Sequence, residues 1–435
     1  MNLDQKLRQL KKASEPRDPD RELAQTLEFL RRMEKPPEQR KLPAQRVAKG
    51  IEEYVEGVLE KNDLGEYFVA RQAFPFGRPY GKLRISDISV ADLSPLNLFF
   101  QQGALPAPER LIYLDTETTG LAGGTGTCAF LVGIGTIEGS QFVVRQFFLR
   151  DYPEEKAILH ALAEILGAFD GIVTYNGKTF DIPLLETRYA LARLKSPFAR
   201  LMHFDALHPA RRLWRLRLER CKLQDLESAI LGIDRQGDVP GADIPAIYFD
   251  YLRAGDARGL QPVFHHNALD IMTLAAITVE LARAVGDGGA STLDSPVDLF
   301  SLSRMFEVAG SREQSVETCQ RALSGGLPGE IEARALHHLA LQYKRQRLHD
   351  LAEEKWLELA QRESPLALEA LEELAIHYEH HRRDLDRAHE FTRRALDRLQ
   401  EQSANSAFLT RFTHRARRLE RKINNDQGRI KPPIA

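Results

Sequence analysis

Residues 111–120 read Leu-Ile-Tyr-Leu-Asp-Thr-Glu-Thr-Thr-Gly, an apolar stretch that ends abruptly in acidic side chains. Side chains alternate between the two faces of a strand, so we expect Asp115 and Glu117 on one face at the end of a buried strand. Two carboxylates this close repel each other, and one pKa rises unless a cation lies between them. Hard oxygen ligands suit Mg²⁺ or Mn²⁺, so the segment predicts a divalent metal site and phosphate chemistry.

Length and composition limit the class of protein. The chain has 435 residues and three cysteines, with a formal net charge of −2. This length favours two or three domains, and the near-neutral charge leaves nucleic-acid binding to local basic patches. The cysteines form no CxxC pair, so neither structural zinc nor a disulfide framework is expected. The sequence has no apolar run of membrane-spanning length and no signal-like N-terminus, so we expect a cytoplasmic protein without membrane contact.

Composition and periodicity divide the chain into four regions. We predict a charged flexible arm at 1–50, an N-terminal flanking region at 51–105, an α/β domain at 106–285 and a helical domain at 296–424. In the flanking region, the pattern predicts a short helix at 51–59 and strand-like segments at 67–71 and 82–88. A linker of small residues, 286–295, precedes the helical domain.

The α/β domain has a recognisable order of elements. The pattern predicts strands at 111–114, 128–134, 142–149 and 171–175, and helices at 154–166, 183–194 and 266–284. Three strands followed by helix, strand and helix match a ribonuclease H-like fold, a mixed sheet flanked by helices.

The helical domain shows an internal recurrence. A pattern recurs three times: an aromatic residue, a small residue nine or ten positions later, and an apolar residue seven positions after that. The three sets are Phe306, Ser315 and Ala322; Tyr343, Ala352 and Leu359; and Tyr378, Ala388 and Ala395. The period of about 36 is near the tetratricopeptide value of 34. An ordinary helical bundle is the alternative, because the characteristic Trp and Pro positions are mostly missing.

Two further segments deliver acids. Residues 172–181 run from an apolar strand into a polar turn and place Asp181 at a helix start, where Asp is also an ordinary N-cap. Residues 264–270 carry Asp270 on a helix, with His265 and His266 about one turn before it.

Together these motifs resemble a known superfamily. Asp-x-Glu-Thr-x-Gly from Asp115, Tyr-Asn-Gly-x-x-Phe-Asp ending at Asp181, and His-x-x-x-Asp ending at Asp270 resemble the three exonuclease motifs of the DnaQ-like DEDD superfamily. The helical repeats behind this domain, and the segment at 241–245, resemble the bacterial YprB-type ribonuclease H-like proteins. The resemblance implies that Asp115, Glu117, Asp181 and Asp270 ligate two divalent cations, Mg²⁺ or Mn²⁺. Two such ions can activate a water and neutralise the leaving 3′-oxygen of a phosphodiester.

The catalytic base remains open between two histidines. Enzymes of the DEDD superfamily place His five positions before the last Asp or Tyr four positions before it; here His265 and His266 hold these positions. The chain has no Tyr at the second position, and the Ala of the usual His-x-Ala motif is displaced by one. A histidine at either position can orient or deprotonate a water, and the sequence favours His266.

Candidate substrate-binding residues lie close to the motifs. Thr118 resembles a position that lines the 3′-terminal nucleotide, and Asn176 lies near Asp181; both also suit ordinary turns. The basic stretch with Arg211, Arg212 and Arg215 predicts contacts to the phosphates of a nucleic-acid backbone. A solvated helix face is the alternative. The glycine-rich segment 120–127 is predicted to form a flexible hairpin beside the metals. A C-terminal basic run, 411–422, is interpreted as a solvated face.

These observations predict a metal-dependent nuclease, a 3′→5′ exonuclease on single-stranded DNA or RNA ends. The helical repeats would recruit a protein partner or extend the substrate surface. Two alternatives remain open: a non-catalytic adaptor that binds nucleic acid or protein, and an endonuclease on structured ends.

Overall fold

The computed structural model describes residues 50–100, 103–120, 126–401 and 406–427. The predicted flexible arm, apart from residue 50, lies outside the described residues. Residues 121–125 of the glycine-rich segment do as well.

A mixed sheet forms the centre of the α/β region. The strands are β1 Gly57–Asn62, β2 Gly65–Pro75, β3 Pro79–Tyr80, β4 Leu83–Arg84, β5 Leu111–Thr118, β6 Ala129–Glu138, β7 Gln141–Phe148, β8 Gly171–Thr174 and β9 Met202–Asp205. Within the described residues, seven of them form one sheet in the order β1-β2-β7-β6-β5-β8-β9, while β3 and β4 pair separately. Neighbours in the large sheet are antiparallel except for β5–β8 and β8–β9, which are parallel.

Helices cover both faces of this sheet. They are α1 Ser86–Val90, α2 Glu155–Leu166, α3 Asp181–Leu191, α4 Leu207–Leu218, α5 Leu223–Leu226, α6 Ile244–Ala254 and α7 Gln261–Gly286. The predicted fold class, a ribonuclease H-like mixed sheet flanked by helices, is confirmed.

The flanking region differs from its prediction. The helix predicted at 51–59 is wrong, because Ile51–Glu53 form a single 3₁₀ turn and β1 begins at Gly57. β1 pairs along its whole length with β2, whose Phe68 and Val69 are buried in the core. Pairing of β1 with β2, which itself pairs with the distant β7, therefore overrides the local helical pattern, and both strands extend the main sheet. The four-residue strand β9 was not predicted at all.

The residues of β5 alternate between two hydrophobic cores. Leu111 and Tyr113 pack in the core that contains α7, whereas Ile112 and Leu114 pack with α2 and α3. The same alternation continues beyond Leu114. The side chains of Asp115 and Glu117 therefore face α7, and that of Thr116 faces α3.

The region after residue 295 is helical throughout its described part. Its helices are α8 Pro296–Val308, α9 Arg312–Ser324, α10 Gly329–Arg345, α11 His349–Leu359, α12 Leu366–His377, α13 Leu385–Glu401 and α14 Ser406–Gln427. All nine recurrent positions noted above, from Phe306 to Ala395, are buried. The helix-rich architecture is confirmed, while membership of the tetratricopeptide class and the domain boundaries stay predictions. Among the residues the structure describes, no helix is long and apolar enough to cross a membrane.

Candidate active site

The acidic motif lies where two parallel strands separate. β5 pairs with β8 only from Leu111 to Tyr113, and β8 ends at Thr174, while β5 continues to Thr118. In open α/β sheets, ligands bind in the crevice beyond the carboxyl ends of such strands. Asp115 and Glu117 are half-buried at this free end.

A buried helix residue, Asn267, orients the first acid. Its Nδ2 donates to Oδ2 of Asp115 at 2.8 Å, and its Oδ1 accepts from Nε2 of Gln146 at 2.9 Å. Gln146 therefore fixes which end of the amide faces Asp115. The helix approaches this closely because β6 has Gly133 opposite Asp115; a Cβ there would lie 2.1 Å from Oδ1 of Asn267.

A rigid turn delivers the third acid. Oγ1 of Thr116 donates to Oδ1 of Asp181 at 2.5 Å, across the gap between β5 and α3. The buried carboxylate of Asp205 accepts from the backbone N–H of Asn176 at 2.8 Å and of Lys178 at 3.0 Å. Asn176 has φ +68°, a left-handed conformation that Asn tolerates better than most residues. Asp205 thus holds the turn that positions Asp181.

The fourth acid belongs to a buried ion network around Arg235. Its Nη2 lies 2.6 Å from Oδ1 of Asp270, its Nη1 3.1 Å from Oδ2 of Asp238, and its Nε donates to Glu227. The arginine side chain is only 7% exposed. Tyr80 also donates to Glu227, at 3.1 Å, which ties the β3–β4 hairpin to the network.

The structure brings His266, and not His265, to the acids. Nδ1 of His266 lies 2.8 Å from Oδ2 of Asp238, and its Nε2 lies 3.5 Å from Oδ2 of Asp270. His266 is buried, whereas His265 is exposed and lines a separate groove of about 230 Å³ that includes Gln72 of β2.

We call Asp115, Glu117, Asp181 and Asp270 the acidic crevice. Burial, followed by the charges of Asp270, Glu117 and Asp181, raises the pKa of Asp115 well above its ordinary value. Burial, then Asp270 and Asp181, raises the pKa of Glu117 to about 8. Burial raises the pKa of Asp181 to about 6, although Thr116 opposes the shift. The negative charges of these side chains therefore repel one another, and a bound cation would lower that repulsion.

The donor chemistry fits hard divalent cations, because all four groups are carboxylates. Within the described ranges, however, no three acidic, histidine or cysteine side chains are already gathered in a metal-binding arrangement. Internal partners explain this: Asn267 holds Asp115, Thr116 holds Asp181 and Arg235 holds Asp270. Each contact uses one oxygen of its carboxylate, so a cation would bind the other oxygen or displace the contact.

The candidate substrate-binding residues have distinct locations. Thr118 lies next to a register shift in the β5–β6 pairing, and its Oγ1 donates to the carbonyl of Gly120 at 3.0 Å. Arg211, Arg212 and Arg215 are exposed on α4. Arg217, on the same helix, is engaged with Asp298 of α8 at 2.7 Å.

The C-terminal basic run is largely neutralised. Arg418 and Lys422 bind the buried Glu379 at 2.6 and 2.7 Å, and Arg411 binds Glu372. These cations link helices of the C-terminal region. They offer less charge to nucleic acid than the sequence alone indicates.

Sequence reasoning missed Asn267, Gln146, Asp238 and Arg235. Asn267 had a usable signal, since it lies one turn before Asp270 and would share its helix face. Asp238 and Arg235 had none, because both lie in the irregular segment between Leu231 and Ile244.

Comparison with known proteins agrees with this geometry. Residues 112–282, which contain all four acids, match the family model described as the RNase_H superfamily. The chain is also 30% identical over 282 residues to the uncharacterised protein YprB of Bacillus subtilis (strain 168). That alignment covers 64% of this chain and 67% of YprB. The chain belongs to the ribonuclease H-like family that includes this relative.

Proposed function

We propose that this protein is a metal-dependent nuclease of the DEDD type, which removes nucleotides from the 3′ ends of single-stranded DNA or RNA. The observation that carries the proposal is the acidic crevice, where β5, α3 and α7 bring four carboxylates within range of one another's charge. Superfamily membership supports a hydrolytic nuclease.

Asp115, Glu117, Asp181 and Asp270 would hold two ions of Mg²⁺ or Mn²⁺. Such ions supply the positive charge that activates a water and neutralises the leaving oxygen of a phosphodiester. The raised pKa values of Asp115 and Glu117 support this assignment, because a cation bound between the carboxylates would offset the burial and mutual repulsion that raise them.

His266 is the proposed base. An ionised Asp238 can only accept, so Nδ1 of His266 carries the hydrogen of that contact; in the neutral imidazole the lone pair then lies on Nε2, 3.5 Å from Oδ2 of Asp270 in the acidic crevice. Nε2 can accept the proton of the water that attacks phosphorus. The bond between phosphorus and O3′ then breaks, a nucleoside 5′-monophosphate leaves, and O3′ of the shortened strand takes up a proton from solvent to become a 3′-hydroxyl, while His266 releases its proton to solvent. Asp238 holds the imidazole in the tautomer this step needs.

The remaining groups would bind substrate. Thr118 directly follows Glu117 on β5, and Asn176 lies in the turn that leads to Asp181, so both are proposed to contact the substrate. The exposed arginines of α4 suit phosphates without reading bases. The C-terminal helices would recruit a protein partner or lengthen the substrate surface, as stacked helical repeats do.

A cleavage assay tests the proposal. Purified protein is incubated with 3′- or 5′-labelled DNA and RNA oligonucleotides and with Mn²⁺ or Mg²⁺. We expect stepwise shortening from the 3′ end, its loss in Asp115→Asn and its retention in His265→Ala, the matched exposed neighbour of His266. Absence of activity that depends on Asp115, across both nucleic acids and both metals, contradicts the proposal. Cutting of a circular single strand identifies an endonuclease instead.

One observation favours a second candidate, a non-catalytic adaptor. Arg235 already neutralises part of the charge of Asp270, and the acids of the described residues are not gathered around one point. An adaptor would bind the same oligonucleotides but leave them intact with either metal.

A further inference from the structure

The guanidinium of Arg235 lies beside the acidic crevice as a built-in cation. Its three nitrogens contact three different carboxylates. Nη2 lies 2.6 Å from Oδ1 of Asp270, Nη1 lies 3.1 Å from Oδ2 of Asp238, and Nε donates to Glu227. Only 7% of the arginine side chain is exposed, so water screens its charge weakly. A full positive charge is therefore held against one of the four acids that are proposed to bind the metal ions.

Arg235 is anchored by groups that do not belong to the crevice. Glu227 is only 1% exposed, and it also accepts from the hydroxyl of Tyr80 at 3.1 Å. That hydroxyl lies 2.7 Å from Oγ1 of Thr273 on α7. Glu227 and Asp238 would thus keep the guanidinium in place even where the fourth acid turned toward a metal ion.

Both oxygens of Asp270 have nitrogen neighbours. Oδ1 faces Arg235, and Oδ2 lies 3.5 Å from Nε2 of His266. A metal ion on Oδ1 must displace the arginine, whereas one on Oδ2 would lie a few ångströms from the guanidinium charge. Like charges that close repel strongly where water is excluded. In both cases the arginine opposes binding of a cation to Asp270.

Asp115 and Asp181 differ from Asp270 in this respect. Their partners, Asn267 and Thr116, are uncharged. A metal ion on the second oxygen of either acid meets no positive charge from these partners. The opposition to metal binding is therefore concentrated at Asp270.

We propose that Arg235 determines the metal affinity of the acidic crevice: it lowers that affinity and so sets the concentration of divalent cation at which the crevice fills. This inference rests on the proposed function and concerns the metal site of that function. A hydrogen bond between charged groups corresponds to roughly 10- to 150-fold in affinity, which is the size of effect expected from one such competing contact.

Calorimetric titration with Mn²⁺ tests the inference through binding rather than cleavage. Full-length wild type, Arg235→Gln and Arg217→Gln are stripped of metal and titrated, and circular dichroism establishes that each protein is folded. Glutamine keeps a hydrogen-bonding amide but removes the charge. Arg217 is the matched control, because its Nη2 also pairs with an aspartate, Asp298, at 2.7 Å, and this aspartate is not one of the four acids.

We expect Arg235→Gln to bind Mn²⁺ about 10- to 150-fold more tightly than the wild type, and Arg217→Gln to bind it as the wild type does. Equal or weaker binding by folded Arg235→Gln, or equal tightening in Arg217→Gln, overturns the inference. Absence of Mn²⁺ binding by all three proteins overturns both the inference and the proposed metal site.

Hydrogen exchange of the wild type is a second test that needs no variant. Coupling between two sites is reciprocal, so an ion that Arg235 disfavours must in turn weaken the contacts of Arg235. With Mn²⁺, the amide hydrogens of residues 227–243 should exchange faster, while those of α4 should be unaffected. Equal or slower exchange at 227–243 overturns the inference, also where Arg235→Gln fails to fold.

The failure of this inference can be told apart from the failure of the proposed function. If Mn²⁺ binds and Arg235→Gln tightens it, but oligonucleotides stay intact, the nuclease proposal fails and the role of Arg235 stands. If the wild type cleaves and Arg235→Gln binds Mn²⁺ no more tightly, only the role of Arg235 fails.

Discussion

Buried carboxylates have pKa values shifted in opposite directions in the acidic crevice and in the C-terminal helices. Burial opposes ionisation of Glu379, but Lys422 and Arg418 outweigh it and hold its pKa below the ordinary value. In the crevice, burial and neighbouring acids together raise the pKa of Glu117 to about 8. The first arrangement is neutralised within the chain, whereas in the second Arg235 contacts Asp270 and the partners of Asp115 and Asp181, Asn267 and Thr116, are uncharged.

This difference separates structural acids from functional ones. An acid that its own fold neutralises links helices and contributes to stability. Acids that the fold leaves close together and uncompensated destabilise the metal-free protein, and such perturbed groups cluster at functional sites. Four predictions follow the contrast between the two regions, from large effects on activity to smaller effects on stability.

Replacement of a crevice acid is expected to have the largest effect. Asp115→Asn should reduce metal-dependent cleavage by more than about 100-fold, since loss of even an outer partner of a metal ligand costs about 10–100-fold. Glu379→Gln should cleave at the wild-type rate per folded molecule. Initial cleavage rates on one labelled oligonucleotide compare the two variants. Similar losses of activity in Asp115→Asn and Glu379→Gln would contradict a functional role specific to the acidic crevice.

The adjacent histidines provide the next largest contrast. His266→Ala should lower kcat by about 10²–10⁴-fold, the usual contribution of an acid–base group, while His265→Ala stays near wild type. Asp238→Asn should lower kcat with little change in KM, because Asp238 orients His266. Steady-state kinetics measures all three; equal, mild effects of the two histidine variants would argue against a single base.

The free energy of unfolding should rank the same two substitutions in the opposite order from activity. Glu379→Gln should lower the free energy of unfolding by about 1–3 kcal/mol, because hydrogen bonds to charged groups are lost in a buried place. Asp115→Asn in metal-free buffer should leave it unchanged or raise it, since a repelling charge is removed. Urea titrations with EDTA measure both, and a destabilised Asp115→Asn would contradict the account.

The pH dependence of stability should carry the same contrast. The folded crevice holds protons more tightly than the unfolded chain, so the metal-free protein should lose stability as pH rises from about 4.5 to about 8, the range between the ordinary and folded pKa values of Glu117. Glu379 has a lowered pKa, so its contribution is lost as pH falls below its ordinary value of 4.5. Urea titrations between about pH 2.5 and pH 9 check this. Mn²⁺ should reduce the loss of stability at rising pH and leave the loss at falling pH unchanged. If Mn²⁺ does not affect the loss at rising pH, the acidic crevice is not its source.

Local sequence patterns predicted the parts of the site that lie on regular elements. Alternation along β5 placed Asp115 and Glu117 on one face, and the strand–turn pattern placed Asp181 at a helix start, as the structure shows. The two nitrogens of His266 acquire their partners from the irregular segment at 232–243 and from α7, which depends on tertiary packing. The helix predicted at 51–59 overlaps β1 for a related reason, since β1 is held by its pairing with β2, and β2 in turn pairs with the distant strand β7.

Calorimetric titration of metal-free protein with Mn²⁺ shows whether the acidic crevice binds metal. We expect binding of two ions per chain in the wild type, loss of that binding in Asp115→Asn and Asp270→Asn, and full binding in Glu379→Gln. No binding by the wild type, or binding that survives both crevice variants, would contradict this expectation.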